Sequence, residues 1–171
     1  LIFYGLEAID EAMKPLRDFE PFLSTMRKLG DNPWLGALIG CVVTLVIQSS
    51  SATVAIVITL AASGLVSLPA GVAIMLGAEV GTCSDTLIAT IGRGRPALRT
   101  GVFHLVFNLV SALFGILFAQ QLVELVQAIS GQAAVGRQIA NAQITFNLIG
   151  TALILPWLPA VARLLERLLP D

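Results

Sequence analysis

The chain is poor in charge. Of its 171 residues only 12% are Asp, Glu, Lys or Arg, half the share of an ordinary soluble domain, where roughly a quarter are charged. That shortage, with 56% hydrophobic residues and a mean hydropathy of +0.87, excludes a water-soluble domain and predicts an integral membrane protein. The net charge of −1 says nothing about a partner, because charges in a membrane chain act by position and not by sum. A stripe of basic residues interleaved with aromatics is also missing, which speaks against nucleic acid. Cysteine is scarce: Cys41 and Cys83 lack C-x-x-C spacing, make neither a disulfide framework nor a zinc site, and read as small buried hydrophobes. No strand-turn-helix nucleophile elbow is present, so the serines, Asp85 and the single histidine, His104, do not make a hydrolase, and no enzyme is expected. The opening "LIFYGLEAID" has no initiator Met and no signal-peptide layout. It reads like the end of a helix, and the chain is expected to be an excerpt from a longer one.

What the chain does have is long apolar blocks. Residues 1 to 13 are apolar and then amphipathic, and residues 14 to 32 carry two prolines, mixed charge and apolar anchors such as Phe19, Phe22 and Leu29. This stretch is too polar to cross a bilayer and is expected to form an interfacial or extramembrane helical segment. "GDNP" at residues 30 to 33 predicts a turn with Asp31 or Asn32 as helix cap and Pro33 at the first helical position.

The next 33 residues pose a problem of length. Trp34 to Ile47 is a run of 14 residues without a charge, and Ala52 to Val66 is a run of 15. Each covers only about 21 to 23 Å as a helix, short of a hydrocarbon core of roughly 30 Å. Joined through Gln48, Ser49, Ser50 and Ser51 they are too long for one span without strong tilt. Two half-length helices meeting at a polar tip inside the membrane satisfy both lengths, which favours a re-entrant hairpin over a plain span. Non-helical backbone at that depth must be buried in protein or face a watery cavity.

Beyond the hairpin, Val72 to Ile91 is apolar but interrupted by "GAEVGTCSD", with Glu79 and Asp85, and predicts a broken or strongly bent span. "RGRPALR" puts Arg93, Arg95 and Arg99 in seven residues, a short loop assigned to the cytoplasm by the positive-inside tendency. Residues 101 to 119 make a span with His104, Asn108 and Ser111; residues 120 to 138 are polar and amphipathic; residues 139 to 160 make the last span, with Asn141, Gln143, Thr145 and Asn147 in its first half. His104 is expected to bond a neighbouring helix. Asn108 and Asn147, both in "FNL", suit either packing or function. The expected division is a truncated helix end and interfacial segment at 1–32, a membrane repeat at 33–160 and a cytoplasmic tail at 161–171.

"QSSSATVAIV" at residues 48 to 57 resembles the signature of the type II sodium/phosphate cotransporter family, including its bacterial members. "GALIGCVVTLVIQSSSA" is similar to the approach to that signature, "LGAEVGTCSDTLIA" to the family's second block, "HLVFNLV" to its His-x-x-Phe-Asn block, and "ANAQITFNLIGTALILP" to its closing segment. The four blocks, in order, cover about residues 30 to 160. The resemblance implies a substrate-binding tip of Gln48, Ser49, Ser50, Ser51 and Thr53, with sodium held through Gln48, Ser49 and Thr82. Ser50, Ser51 and Asn108 are further ion-binding positions, Gly81 belongs to the second block, and Glu79 joins the ion-binding candidates through its own charge and not through the resemblance. The resemblance also implies that the unit occurs twice, as inverted repeats sharing one site, this one being the C-terminal copy. A second QSSS tip on the same chain, or an oppositely oriented copy, is then the expected partner.

The physics of the tip agrees: helix N-termini favour an oxyanion, while carbonyl and hydroxyl oxygens suit sodium. Two departures matter. Glu79 stands where the family has Asn, and Asp85 where it usually has Thr. Carboxylates at membrane depth are costly and usually functional, so each is a candidate to bind sodium or carry a proton, Asp85 as a coupling group. Pairing with an Arg of the 93–99 loop is the alternative.

The expected fold is thus all-α integral membrane: a re-entrant hairpin with the QSSS tip plus about three transmembrane helices. The expected function is sodium-coupled symport of inorganic phosphate, without cofactor, in a bacterial inner membrane and in contact with its lipid. A docking or regulatory module of the same fold, a passive channel, and a proton-coupled transporter of another anion are the alternatives.

Overall fold

In the computed structural model, which describes residues 2 to 170, the chain is helical throughout, with no strand among the described residues. In order these are α1 (Ile2–Met13), α2 (Glu20–Asp31), α3 (Pro33–Ile47), α4 (Ser50–Ala62), α5 (Leu68–Gly81), α6 (Cys83–Ala89), α7 (Arg95–Leu117), α8 (Ala119–Ser130), α9 (Val135–Ile154) and α10 (Leu158–Leu168). Two 3-10 turns, Lys14–Asp18 and Leu155–Trp157, lead out of α1 and join α9 to α10.

The axis of the fold is α5. It is apolar on every side, and all but two of its 14 residues, Pro69 and Val80, are buried, the state expected of a helix hydrophobic all round. Helices α2, α3, α4, α7, α8 and α9 pack around it. Met75, Leu76, Val126 and Ile139 are fully buried at that centre, with Val54 and Val57 of α4 close by.

Small residues set the closest contact, between α3 and α5. Gly36 lies against Ala73, Ala37 against Gly77 and Cys41 against Gly81, so the two helices run parallel. A Cβ on Gly40 would sit 1.9 Å from the Ile74 carbonyl oxygen, and one on Gly77 would sit 1.8 Å from that of Ala37. Hydrocarbon gives helices no hydrophobic reason to associate, and small residues at four-residue spacing allow backbones to touch instead. On α4 the order reverses. Val57 lies near Gly71 and Ser50 near Thr82, so α4 runs antiparallel to α5. The chain therefore doubles back between α3 and α4, at Gln48 and Ser49.

Helices α5 with α6 (Leu68–Ala89), α7, and α9 through α10 (Val135–Leu168) are three units long and apolar enough to cross a membrane. This matches the three expected spans. The interruption around Glu79 is milder than a strong bend: Thr82 keeps right-handed helical angles, and the two pieces read as one span. The glycines there serve contact with α3, and Glu79 finds partners on α9, so nothing forces the helix apart. The expected cap is in place too: Asn32 Oδ1 accepts from the Trp34 and Leu35 amides, with Pro33 next, and the chain turns by 114° between α2 and α3. Leu29 of α2 is fully buried in the core, so α2 docks on the bundle.

Candidate functional site

Three helix ends converge at the turn after α3. Because α3 and α5 run parallel, both deliver their C-termini there, at Ile47 and Gly81, while α4 begins there at Ser50. C-terminal carbonyls attract a cation and N-terminal amides an anion, so one small region offers both.

Gln48 makes the turn. Its φ of 60° is left-handed, alone among the described non-glycine residues, a conformation that costs a residue with a Cβ about 1–2 kcal/mol. Its amide N–H still donates to the Thr44 carbonyl, 2.7 Å, and its side-chain Nε2 donates to the Leu45 carbonyl, 2.7 Å, and toward Ser84 Oγ, 3.5 Å. Ser49 is the N-cap of α4, its Oγ accepting from the Ala52 amide at 3.2 Å. The Ser50 and Ser51 amides, first in α4, have no acceptor within the helix and point past its end.

The two arms are tied below the turn by a buried bond. Thr44 Oγ1 donates to Thr53 Oγ1 at 2.8 Å, and Thr53 Oγ1 donates to the Ser49 carbonyl at 3.1 Å. In one straight helix residues nine apart would lie about 13 Å apart. The α5–α6 seam closes the other side: Thr82 Oγ1 donates to Ser50 Oγ at 3.3 Å, and Ser84 Oγ donates to the Gly81 carbonyl at 3.0 Å. Gln48, Ser49, Ser50, Thr53, Gly81 and Thr82 thus meet, as the resemblance implies. Ser51 is beside them but exposed.

Glu79 lies one turn before Thr82 and faces another way. It is 9% exposed, and its Oε1 accepts from Gln143 Nε2 at 3.3 Å and Asn147 Nδ2 at 3.2 Å, both on α9. The Arg 93–99 loop is not its partner. Asp85 is exposed on α6, its Oδ1 accepting from the amide and hydroxyl of Thr86. Asn108 is buried on α7, and its Nδ2 turns back to the His104 carbonyl at 2.9 Å. The Cys83 thiol, also buried, approaches that carbonyl at 3.7 Å and the Glu79 carbonyl at 3.6 Å. The His104 ring differs from expectation: its Nδ1 is buried with no hydrogen-bond partner, and it is the backbone carbonyl that links α7 to α6.

Sequence reasoning missed Thr44, Ser84, Gln143 and Asn147 as members of this region. A polar residue at every turn of an otherwise apolar α9 was the signal available for the last two. The large cavity between α7, α8 and α9, about 450 Å³, is elsewhere, with Phe107, Phe114, Phe146 and Leu153 among its mainly apolar walls.

The family model described as Na+/Pi-cotransporter matches residues 1 to 156. The chain belongs to the Na+/Pi-cotransporter family. It is similar to YqeW of Bacillus subtilis (strain 168), 27% identical over 170 residues, 99% of this chain and 55% of that protein. It is 26% identical over its full length, against 31% of the relative, to YjbB of Escherichia coli (strain K12), whose name assigns it inorganic phosphate export. Sodium-dependent phosphate transport protein 2B of Homo sapiens shares 36% identity over 88 residues, 48% of this chain and 13% of that protein. The chain therefore spans about half, or less, of the curated relatives it matches. No solved structure matches.

Proposed function

We propose that this chain is one half of a phosphate transporter whose substrate and coupling ion meet at the Gln48–Ser51 turn. The observation that carries the reading is the convergence of the α3 C-terminus, the α5–α6 seam and the α4 N-terminus on that turn, where the Ser50 and Ser51 amides have no acceptor within their own helix. The Ser50 and Ser51 amides and hydroxyls would take phosphate oxygens; the carbonyls ending α3 and α5, with Gln48 and Thr82, would take sodium. Names within the family support phosphate as cargo and sodium as driver. In this reading the α3–α4 turn is a re-entrant hairpin, its 15-residue and 13-residue arms each too short to cross the core.

Glu79 enters as the coupling carboxylate. Its carboxylate faces α9, one helical turn from Thr82, and accepts from two neutral carboxamides, so in this reading it acts on a sodium ion at the helix ends through its field across that turn and not as a direct ligand. That ion would also offset its repulsion of phosphate. No covalent step is involved, and no cofactor. A second reading, outward transport, is favoured by the name of YjbB; the same site serves either direction.

The test is labelled-phosphate flux in proteoliposomes of the complete protein, with sodium and with choline in its place. We expect saturable, sodium-dependent flux, lost in Gln48→Ala and Ser50→Ala. Glu79→Gln keeps the contacts to Gln143 and Asn147 but not the charge, and is expected to raise the sodium needed for half-maximal rate about tenfold or more, the scale of one charge acting across a helical turn. A folded protein that moves no phosphate in either salt overturns the assignment. Flux that is indifferent to sodium leaves phosphate as cargo and removes the coupling.

A further inference from the structure

Helix register brings Asp85 to the Gln48 turn. Gly81 meets the Cys41 carbonyl and the Thr44 side chain of α3, and Asp85, four residues on, lies one turn further along the same face. Helix α3 runs parallel to α5, and α6 continues α5 as one span. One turn on from Thr44 along α3 is Gln48, so Asp85 stands at its level. Two contacts bracket the position. At about 100° per residue Asp85 falls between Ser84, which Gln48 Nε2 approaches at 3.5 Å, and Thr82, which donates to Ser50 Oγ at 3.3 Å. Glu79 and Cys83 leave the same span on other sides, toward α9 and α7.

The fold occupies only half of this carboxylate. Asp85 is exposed, and its two hydrogen bonds, from the Thr86 amide at 2.6 Å and the Thr86 hydroxyl at 3.2 Å, both end on Oδ1. Among the described residues no donor reaches Oδ2, and no basic side chain pairs with it. A bare carboxylate beside the Ser50 and Ser51 amides repels an anion, unless the anion brings a proton of its own. Inorganic phosphate keeps a P–OH at neutral pH. Sulfate, of the same shape, keeps none.

Resting on the reading of this turn as the phosphate site, we propose that Asp85 is its specificity residue. Oδ2 accepts a hydrogen bond from a phosphate P–OH while the Ser50 and Ser51 amides take the unprotonated oxygens. Sulfate has nothing to donate and meets only the repulsion. A site that accepts from a substrate hydroxyl rejects the analogue lacking it, because the acceptor is left unpaired. A sodium ligand at Asp85 would act on the cation instead and would leave the choice of anion unaltered.

Flux of labelled phosphate and of labelled sulfate into proteoliposomes of the complete protein, at saturating sodium, decides it, with arsenate as a competitor that keeps its proton. The unmodified protein is expected to move phosphate, to be inhibited by arsenate, and to disfavour sulfate by on the order of a hundredfold, less than a fully buried acceptor gives. Asp85→Asn puts an amide there that can donate to either anion, and is expected to cut the preference to about tenfold or less. Asp85→Glu keeps the acceptor and is expected to keep excluding sulfate. An Asp85→Asn protein that still excludes sulfate overturns the proposal. So does one in which only the sodium dependence shifts, which makes Asp85 a sodium ligand. Sulfate moved as readily as phosphate by the unmodified protein overturns it even where a variant fails to fold, and leaves the turn an anion site. Movement of neither anion overturns the reading of the turn together with this one.

Discussion

Gly77 and Gly5 show how differently one residue type is used. Gly5 lies in α1 with nothing within 4 Å of where a Cβ would be, whereas a Cβ on Gly77 would meet the Ala37 carbonyl, carbon and Cα, all backbone, within 2.6 Å. Backbone cannot swing aside as a side-chain end can, so α3 and α5 would have to part. Gly77→Ala is therefore expected to destabilise by about 3 kcal/mol or more, above the usual range for overpacking. Gly5→Ala is expected to be neutral or to stabilise by up to about 1 kcal/mol through helix propensity. Unfolding of both variants in mixed detergent micelles measures this. A Gly77→Ala protein as stable as wild type would mean that the two helices are not in backbone contact.

At the scale of elements, the α3–α4 turn is made of bonds that can be taken apart. Thr44 and Thr53 are fully buried and bonded to each other, so Thr44→Val and Thr53→Val should each cost stability and the pair should cost less than the sum. Bonds between membrane helices average about 0.6 kcal/mol of coupling, and a double-mutant cycle is expected to return a value of that order. Zero coupling would detach the two arms. The turn was legible in the sequence because arithmetic exposes it: two apolar runs, each too short to span, flanking four polar residues. Asn32 and Pro33 were legible as local capping chemistry. Glu79 was legible as anomalous but its partners were not, since Gln143 and Asn147 lie 64 and 68 residues away and no local pattern ties a carboxylate to two amides on another helix. The parallel course of α3 and α5 was hidden for the same reason. Gly36, Gly40, Ala73 and Gly77 mark faces for close approach, but spacing alone does not say which face meets which.

On the scale of the whole molecule, the outer helices present apolar surface that a soluble protein would bury. Val46 is 79% exposed, two residues before the polar turn, and Leu148 and Leu153 of α9 are 65% and 68% exposed. Hydrocarbon or further protein must cover them, and in a chain that matches about half of its relatives' length or less both covers are at hand. The Gln48 turn has the opposite need. Its half-satisfied amides and hydroxyls must face water or a polar ligand, because unpaired polar groups in hydrocarbon cost several kcal/mol each. Within a few residues, then, the chain should pass from dry to wet. Single cysteines at Val46 and Ser51, introduced into the complete protein with Cys41 and Cys83 replaced, read that boundary through a membrane-impermeant maleimide. Ser51→Cys is expected to react from one side of the membrane and to be shielded by phosphate, and Val46→Cys to stay unmodified. Equal, rapid labelling of both would place the turn outside the membrane, leaving α3 and α4 as a surface hairpin. Labelling of neither, with transport intact, would mean that the turn is reached only from within a closed assembly.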